Sequence, residues 1–350
     1  MKNFKKLSLI CVAVLFIMSC SNDDSSDDTQ SDLTYTIINS GNAGVTSNSD
    51  TEDDQNLDIA QPIPAEDISG GYPANMPVIL FFDDKINLNT IKNNFSVNMD
   101  GNLIGGNVSI GEAANGFAIL TFIPYKPYTS NSQIEILLGS GLTDDGGNGL
   151  DEDYILSFSV SSDSSVPFDG NSSFENGTDG GLFVGDGALM SGTQGCVTPS
   201  DGNNFSAITS GDALVSSDNA IGGASSVCLL GPINSDISSL TFNYNFISSE
   251  FQEFVDSVFD DSFIAVVVGP NGAYSEFITS VNTVGTNNTQ CNGFSTLPDA
   301  GDDYAGETGW VTHSMNFQNV GSPAYVSFIV SDVSDLIYST AVTLDEVNYN

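Results

Sequence analysis

From Leu240 the chain alternates, with Leu240, Phe242, Tyr244 and Phe246 at every second position and Thr241, Asn243 and Asn245 between them. A period of two is the signature of a strand with one buried face. The pattern breaks at Glu250. Phe251, Phe254, Val255 and Val258 then recur at helical spacing, so a short helical turn is expected to bury them while Glu250 and Glu253 share another face. Strand character resumes at Phe263-Ile264-Ala265-Val266-Val267-Val268 and stops at the turn signal Gly269-Pro270-Asn271-Gly272. The rest of the chain reads as delivering and supporting this stretch, which is dense in carboxylates and aromatics.

Charge decides which partners are open to it. The 350 residues carry 45 acids against 6 basic residues, a formal net charge of −39, and every basic residue is a lysine. Lys2, Lys5 and Lys6 lie at the N-terminus, leaving Lys85, Lys92 and Lys126 for the rest. Nucleic acid is excluded as a partner, because neutralising phosphate needs a basic surface. Beyond Lys126 only His313 can become cationic near neutral pH. Carboxylates in that half must therefore be solvated, bonded to backbone donors, protonated or neutralised by a metal ion.

Residues 1–19 combine the basic end with an apolar run too short for a stable membrane span, and read as an export signal. Their close, Ile17-Met18-Ser19-Cys20, resembles a bacterial lipobox, which implies lipidation of Cys20 and a durable hold on a membrane through acyl chains. Residues 20–56 are polar and acidic from Ser21-Asn22-Asp23-Asp24 onward, a self-repelling disordered tether. Its opening resembles the acidic signal of surface-exposed lipoproteins of the Bacteroidota, which implies an outward-facing position on the outer membrane. One weak apolar patch, Tyr35-Thr36-Ile37-Ile38, is a stray strand candidate.

Residues 57–160 hold short apolar runs separated by turn clusters, as in an all-β sandwich, with candidate strands at 78–82, 95–99, 118–122, 133–138 and 154–160. Asn75-Met76-Pro77, Phe81-Phe82-Asp83-Asp84-Lys85, Phe122-Ile123-Pro124 and Gly141-Leu142-Thr143-Asp144 follow in an order that resembles bacterial Ig-like domains of the SbsA type, which implies a spacer. Asp144-Asp145-Gly146-Gly147-Asn148-Gly149 fails as an EF-hand and is read as a glycine-rich hairpin turn.

A polar hinge at 161–169 leads to the second domain, 170–350. Ser173-Phe174-Glu175-Asn176-Gly177 and Ala341-Val342-Thr343-Leu344-Asp345 resemble the first and last strands of jelly-roll, galactose-binding-like modules, and the resemblance implies a structural calcium shared by Glu175 and Asp345. Between them Ser249-Glu250, Glu253-Phe254-Val255, Phe259-Asp260-Asp261, Gln290-Cys291-Asn292-Gly293, Trp310-Val311-Thr312 and the run 331–342 resemble the choice-of-anchor domains, the L type especially. Phe251, Asp260 and Thr340 depart from that pattern. Such domains occur in exported proteins with varied anchors.

Within the acid-rich stretch Glu250, Glu253, Asp256, Asp260 and Asp261, joined by Asp332 and Asp335, have no basic side chain in their half to offset them. Like charges about 4 Å apart repel by ~4 kcal/mol at an effective dielectric of 20. Calcium, which accepts six to eight oxygens in flexible geometry, is the expected neutraliser, with a carboxylate-capped loop as the rival. Zinc is disfavoured by the single histidine and scattered cysteines. In an oxidising compartment Cys196 and Cys228, both flanking predicted strands, are the preferred disulfide, with Cys291 pairing to either as the alternative. Trp310, Tyr274 and Tyr304 are candidates for a sugar-stacking platform, with core packing as the alternative for each. Asp256-Ser257-Val258 also fits a short acceptor motif for O-glycosylation.

These features give an all-β protein: an Ig-like sandwich and then a jelly-roll-like β-sandwich, joined to a lipid anchor by a disordered acidic tether. A non-catalytic, calcium-stabilised binding or adhesion role is expected, with a membrane hold through the anchor and a glycan or surface-protein ligand. A carbohydrate-binding module is the alternative. A glycoside hydrolase using Glu250 and Glu253 is weaker, because no arginine or lysine is at hand to orient an anionic substrate, and His313 is read as structural.

Overall fold

The structure, a computed structural model, describes residues 34–37, 59–63, 71–82, 85–112, 118–162, 172–176, 181–210, 225–294, 305–331 and 338–350. The leader, Cys20, most of the acidic tether and all but the first two residues of the hinge lie outside the described residues. The first half forms β1 (Thr34–Ile37), β2 (Ile59–Ile63), β3 (Val78–Phe82), α1 (Leu88–Asn94), β4 (Phe95–Met99), β5 (Asn102–Leu103), β6 (Gly106–Glu112), β7 (Ala118–Pro124), β8 (Gln133–Leu138) and β9 (Tyr154–Ser159). The second half adds β10 (Leu182–Val184), β11 (Asp186–Ser191), β12 (Asn204–Thr209), β13 (Ser225–Ile233), β14 (Ser239–Ser248), β15 (Ser262–Gly269), β16 (Gly272–Ser280), α2 (Val281–Val284), β17 (Thr289–Gln290), β18 (Gly306–Glu307), β19 (Val311–Asn316), β20 (Ala324–Ser331) and β21 (Thr340–Tyr349).

Four sheets result. Sheet I has the order β5-β4-β8-β9 and sheet II the order β1-β6-β7-β3-β2; sheet III runs β10-β13-β20-β15-β16, and sheet IV runs β11-β12-β21-β14-β18-β17 with β19 also on β14. Nearly every pairing is antiparallel. The exception among the strands is β1, which lies parallel to β6 with Thr34 opposite Asn107, so a piece of the expected tether closes an edge of sheet II.

Burial patterns separate the outer sheets from the inner ones. Strand β8 alternates between buried and exposed positions, as expected of a strand with one wet face. In contrast β3 is buried at every residue, and so is β15. A strand can be apolar throughout only if both its faces are covered. Here sheet II packs on sheet I, with Phe95 and Phe122 meeting at 6.2 Å between ring centroids, and sheet III packs on sheet IV, with Phe328 and Phe242 at 4.8 Å. Sheets II and III then cover each other. Val227, Leu229, Ile264, Val266, Val268, Tyr325 and Ile329 of sheet III share one apolar cluster with the core of the first half.

The contact between the inner sheets is close. A Cβ on Gly111 of β6 would stand 3.1 Å from the Ala273 methyl of β16. Tyr325 donates its hydroxyl to the Asn75 carbonyl at 2.6 Å, and burial raises its pKa above the ordinary value. The first sandwich is therefore packed against the second and not strung ahead of it as a free spacer. Register places Ser109, Thr121 and Gly111 on one face of sheet II, while Ser327 shares a face of sheet III with Tyr325 and Ile329. The hydroxyls of Ser109, Thr121 and Ser327 are buried and lack a hydrogen-bond partner among the described residues. Each costs about 1–3 kcal/mol of desolvation.

Two outcomes are expected at this contact. Thr121→Val, which keeps the shape and removes a lone hydroxyl, should raise stability by about 1 kcal/mol, whereas Gly111→Val should lower it by about 1–3 kcal/mol through overpacking. Urea unfolding of the full chain measures both, and a destabilised Thr121→Val would mean the hydroxyl has a partner that matters.

Candidate functional site

The organising stretch keeps its strand and loses its helix. Leu240, Phe242, Tyr244 and Phe246 of β14 face the core between sheets III and IV, as the alternation requires. After Ser248 the chain leaves the sheet as a series of turns, not the expected helical turn. Gln252 and Asp256 take positive φ values of 75° and 64°, which no right-handed helix accommodates. Phe251 is buried, but Val258 is 68 % exposed. The loop is fixed from outside its own sequence by Asn282 of α2. The Asn282 side-chain oxygen accepts the Asp256 amide at 2.6 Å, its side-chain nitrogen donates to the Ser257 carbonyl at 3.0 Å, and its amide donates to Asp260 Oδ1 at 2.7 Å.

The expected acids differ in burial along this loop. Glu250 and Asp261 are fully buried, Glu253 and Asp256 are exposed, and Asp260 is half-buried at the start of α2. Asp332 and Asp335 lie outside the described residues. Glu250 and Glu253, one inside and one out, do not face a common site. Hydroxyls that lie far apart along the chain line the buried end. Ser248 Oγ accepts the Glu250 amide at 3.0 Å and a hydrogen bond from Thr340 Oγ1 at 2.8 Å; Ser210 Oγ accepts the Thr340 amide at 2.8 Å and donates to Asp261 Oδ2 at 3.3 Å. Among the described residues the only trio of ligand-type side chains within reach of one ion is Cys196, Cys291 and Glu307, and its two sulfurs are joined to each other.

Glu175 and Asp345 each bind the loop at 200–204. Glu175 Oε1 accepts the amides of Asn203 and Asn204, both at 2.7 Å. Asp345 Oδ2 accepts the Ser200 amide and hydroxyl at 2.9 Å and the Asp201 amide at 3.0 Å, while Oδ1 accepts the Glu346 amide at 2.8 Å. Gly202 permits the close approach: its φ is 54°, and a Cβ there would lie 2.3 Å from the Glu175 carboxylate. Both acids stand at one loop, and its backbone amides hold their carboxylates. Burial raises the Asp345 pKa above the usual carboxylate range despite four hydrogen bonds that act to lower it.

The disulfide differs from the preferred pairing. Cys196 joins Cys291, with 5.2 Å between Cα atoms, and Cys228 is a buried free thiol. Sheet IV separates the two expected partners. Cys228 of β13 belongs to the core on its inner side, whereas Cys196 packs in a small cluster on its outer side with Val197, Phe205, Ile247 and Phe294. Burial pushes the Cys228 thiol up to about 12, so it is unreactive. Glycines bring the bridged loops together: a Cβ on Gly195 would stand 2.2 Å from the Gly293 carbonyl carbon.

The proposed aromatic platform is divided. Trp310 joins the outer cluster, edge-on to Phe205 with 6.2 Å between centroids, and its indole nitrogen donates to the Thr198 carbonyl at 2.7 Å. Tyr274, half-buried, lies against Phe317 at the margin of the main core at 5.6 Å, and Tyr304 is outside the described residues. His313 of β19 meets Glu276 of β16 at 2.9 Å, a clasp between the edges of sheets III and IV. A polar depression opens beside the 200–204 loop, lined by Ser172, Ser173, Asp201, Glu346 and Asn348.

With this geometry the chain is an all-β protein of paired sandwiches. No family model matches it, and no curated protein does. Among solved structures, the K2 cleaved adhesin domain of Lys-gingipain is similar to 51 % of this chain over 96 % of its own length, at 16 % identity and a TM-score of 0.33. A carbohydrate-binding module specific for non-crystalline cellulose is similar over 53 % of this chain and 97 % of its own, at 12 % identity and a TM-score of 0.30. A carbohydrate-binding module of the β-sandwich superfamily with promiscuous specificity covers 84 % and 97 %, at 13 % identity and a TM-score of 0.27.

Two measurements probe the site. Cys196→Ser with Cys291→Ser opens a loop spanning 95 residues and should cost about 2–4 kcal/mol, while Cys228→Ser leaves the bridge intact under non-reducing mass mapping. Asp345 gives a pH signature. Its folded pKa is raised, so the folded state binds the proton more tightly, and ionisation above that pKa costs stability. Wild type should gain stability relative to Asp345→Asn as pH falls through the folded pKa toward the unfolded value of about 3.9; a bound divalent cation should reverse that slope.

Proposed function

We propose that this chain is an exported, lipid-anchored surface protein whose second sandwich serves a non-catalytic binding or adhesive role. One observation carries the choice: the two described candidates for a sugar platform pack against the protein's own residues. Trp310 is held by Phe205 and Thr198, and Tyr274 by Phe317. The Cys196–Cys291 bridge accords with an oxidising compartment outside the cytoplasm. Lipid at Cys20 and outward display on an outer membrane rest on the lipobox-like and acidic sequences.

Calcium is proposed as a structural ligand, with Glu175, Asp345 and carbonyls of the 200–204 loop as its holders in preference to the acids of the 250–261 loop. When bound it would neutralise charge that nothing basic in this half offsets. A carbohydrate-binding reading is favoured by one feature, the polar depression of Ser172, Ser173, Asp201, Glu346 and Asn348, whose groups suit sugar hydroxyls.

Adherence of cells displaying the protein to a protein-coated surface tests the main reading. Wild-type cells should adhere, and Cys20→Ala, by releasing the chain from the membrane, should abolish adherence. Retardation of the soluble chain in polysaccharide gels, lost on Asp201→Ala, would instead establish the glycan reading. In thermal melts calcium at a hundred times its Kd should stabilise by about 2.7 kcal/mol, and Glu175→Gln should remove that gain while Glu253→Gln keeps it.

A further inference from the structure

The depression lined by Ser172, Ser173, Asp201, Glu346 and Asn348 is assembled from three parts of the chain. Ser172 is fixed to β21: its amide donates to the Val347 carbonyl at 2.7 Å, and the Val347 amide donates back at 2.6 Å. Asp201 is set by its own amide, which Asp345 Oδ2 accepts at 3.0 Å. Glu346 Oε2 is held by Asn243 Nδ2 and by the Ser200 hydroxyl, the latter at 3.3 Å. Glu346 also keeps φ at 48°, a left-handed setting that is costly for a side chain and recurs at ligand clamps. The space is about 410 Å³ with its open mouth, at the small end of the roughly 300–1,000 Å³ of ligand sites.

The hydrogen-bonding groups left over define what would fill it. Ser172 is 1 % exposed; its oxygen accepts the Phe174 amide at 3.3 Å, but its hydroxyl proton has no acceptor among the described residues. A buried donor of that kind calls for an acceptor from outside. The other groups are mainly acceptors. The Asp201 carboxylate and Glu346 Oε1 receive no hydrogen bond from a described residue, and Asn348 donates its side-chain nitrogen to the Glu346 carbonyl at 2.7 Å, which leaves its oxygen. A matching ligand therefore accepts at Ser172, donates elsewhere, and brings the positive charge that no lysine or arginine beyond Lys126 can supply. Lysine and arginine side chains fail the first condition, since neither has an acceptor, and the polar lining offers no apolar wall for their stems. Neutral sugars lack the charge, and uronate or sulfated sugars carry the wrong one. A protonated amino sugar meets every condition, with its ammonium for the carboxylates and its hydroxyls for Ser172, Ser173 and Asn348.

We propose that this depression binds a glycan bearing a free, protonated amine, as in a glucosamine chain, with Asp201 and Glu346 taking the ammonium and Ser172 donating to a sugar oxygen. This rests on the carbohydrate-binding reading above and names the sugar class for it.

The test is an amide NMR titration of the full chain carrying Cys20→Ala with disaccharides of glucosamine, N-acetylglucosamine and glucose, at a pH where the amine is charged. Shifts should centre on residues 172–173, 201 and 346–348, with the glucosamine form binding at least about fivefold more tightly than the others. Asp201→Asn, at an exposed position, should erase that preference. Ser172→Ala should weaken every sugar, and Glu253→Gln, which removes a negative charge from a different loop, should change nothing. Equal affinities, a preference that survives Asp201→Asn, or shifts spread over the whole acidic surface would overturn the proposal. So would equal binding at the same amides by α-N-acetyl-lysine amide, which would make the site a contact for ammonium alone. If polysaccharide gels retard the chain and Asp201→Ala abolishes this, but glucosamine is not preferred, only the amino-sugar class falls; if neither gels nor disaccharides are bound, the glycan reading falls with it.

Discussion

The contact between sheets II and III is the constraint on which the rest of the molecule depends. Burial of apolar surface yields roughly 25 cal/mol per Å², and a sheet that is apolar on both faces gains it twice only if two other layers are present. Without the first sandwich, Ile264, Val266, Val268 and Ile329 would face water. Without the second, Gly111 and its neighbours on sheet II would lose their cover. The two halves thus fix each other's position, and the loops at the far end of sheet IV are carried on a stack with no free joint at that contact. Lone hydroxyls trapped between the sheets are a cost that the surrounding apolar contact outweighs.

A second constraint is the absence of cations. Carboxylates elsewhere are commonly balanced by arginine or lysine, but the second half of this chain balances them with dipoles. Glu175 and Asp345 draw backbone amides of one loop, Asp260 takes an amide of α2, and Asp261 takes the Ser210 hydroxyl. Hydrogen bonds from backbone donors favour the charged form. At Asp345 desolvation outweighs them and holds its pKa above the ordinary value.

Much of the fold was legible and much of the site was not, for a common reason. Alternation at 240–246 and the hairpin turn at 144–149 are local, and local geometry settled them: Asp144 closes its own turn by accepting the Asn148 amide and side-chain nitrogen, each at 2.7 Å. The run at 263–268 announced a strand with two dry faces, a message that is plain only once a covering sheet is known. Helical spacing at 251–258 misled because Asn282, 26 residues beyond Asp256, dictates that loop's backbone. The cysteine pairing turned on which side of sheet IV each residue occupies, and spacing along a chain carries no such information. The loop at 200–204 that binds both Glu175 and Asp345 was not legible, because it lies far from either along the chain.

The bridge between Cys196 and Cys291 turns everything from β12 to β17 into a covalently closed ring. A single cut of the backbone inside that ring leaves both pieces attached, and they stay seated in sheets III and IV by their neighbours' hydrogen bonds. Proteases that require a basic side chain find no such residue after Lys126 in any case. The closed ring and the missing basic residues together amount to resistance of the second half against such proteases.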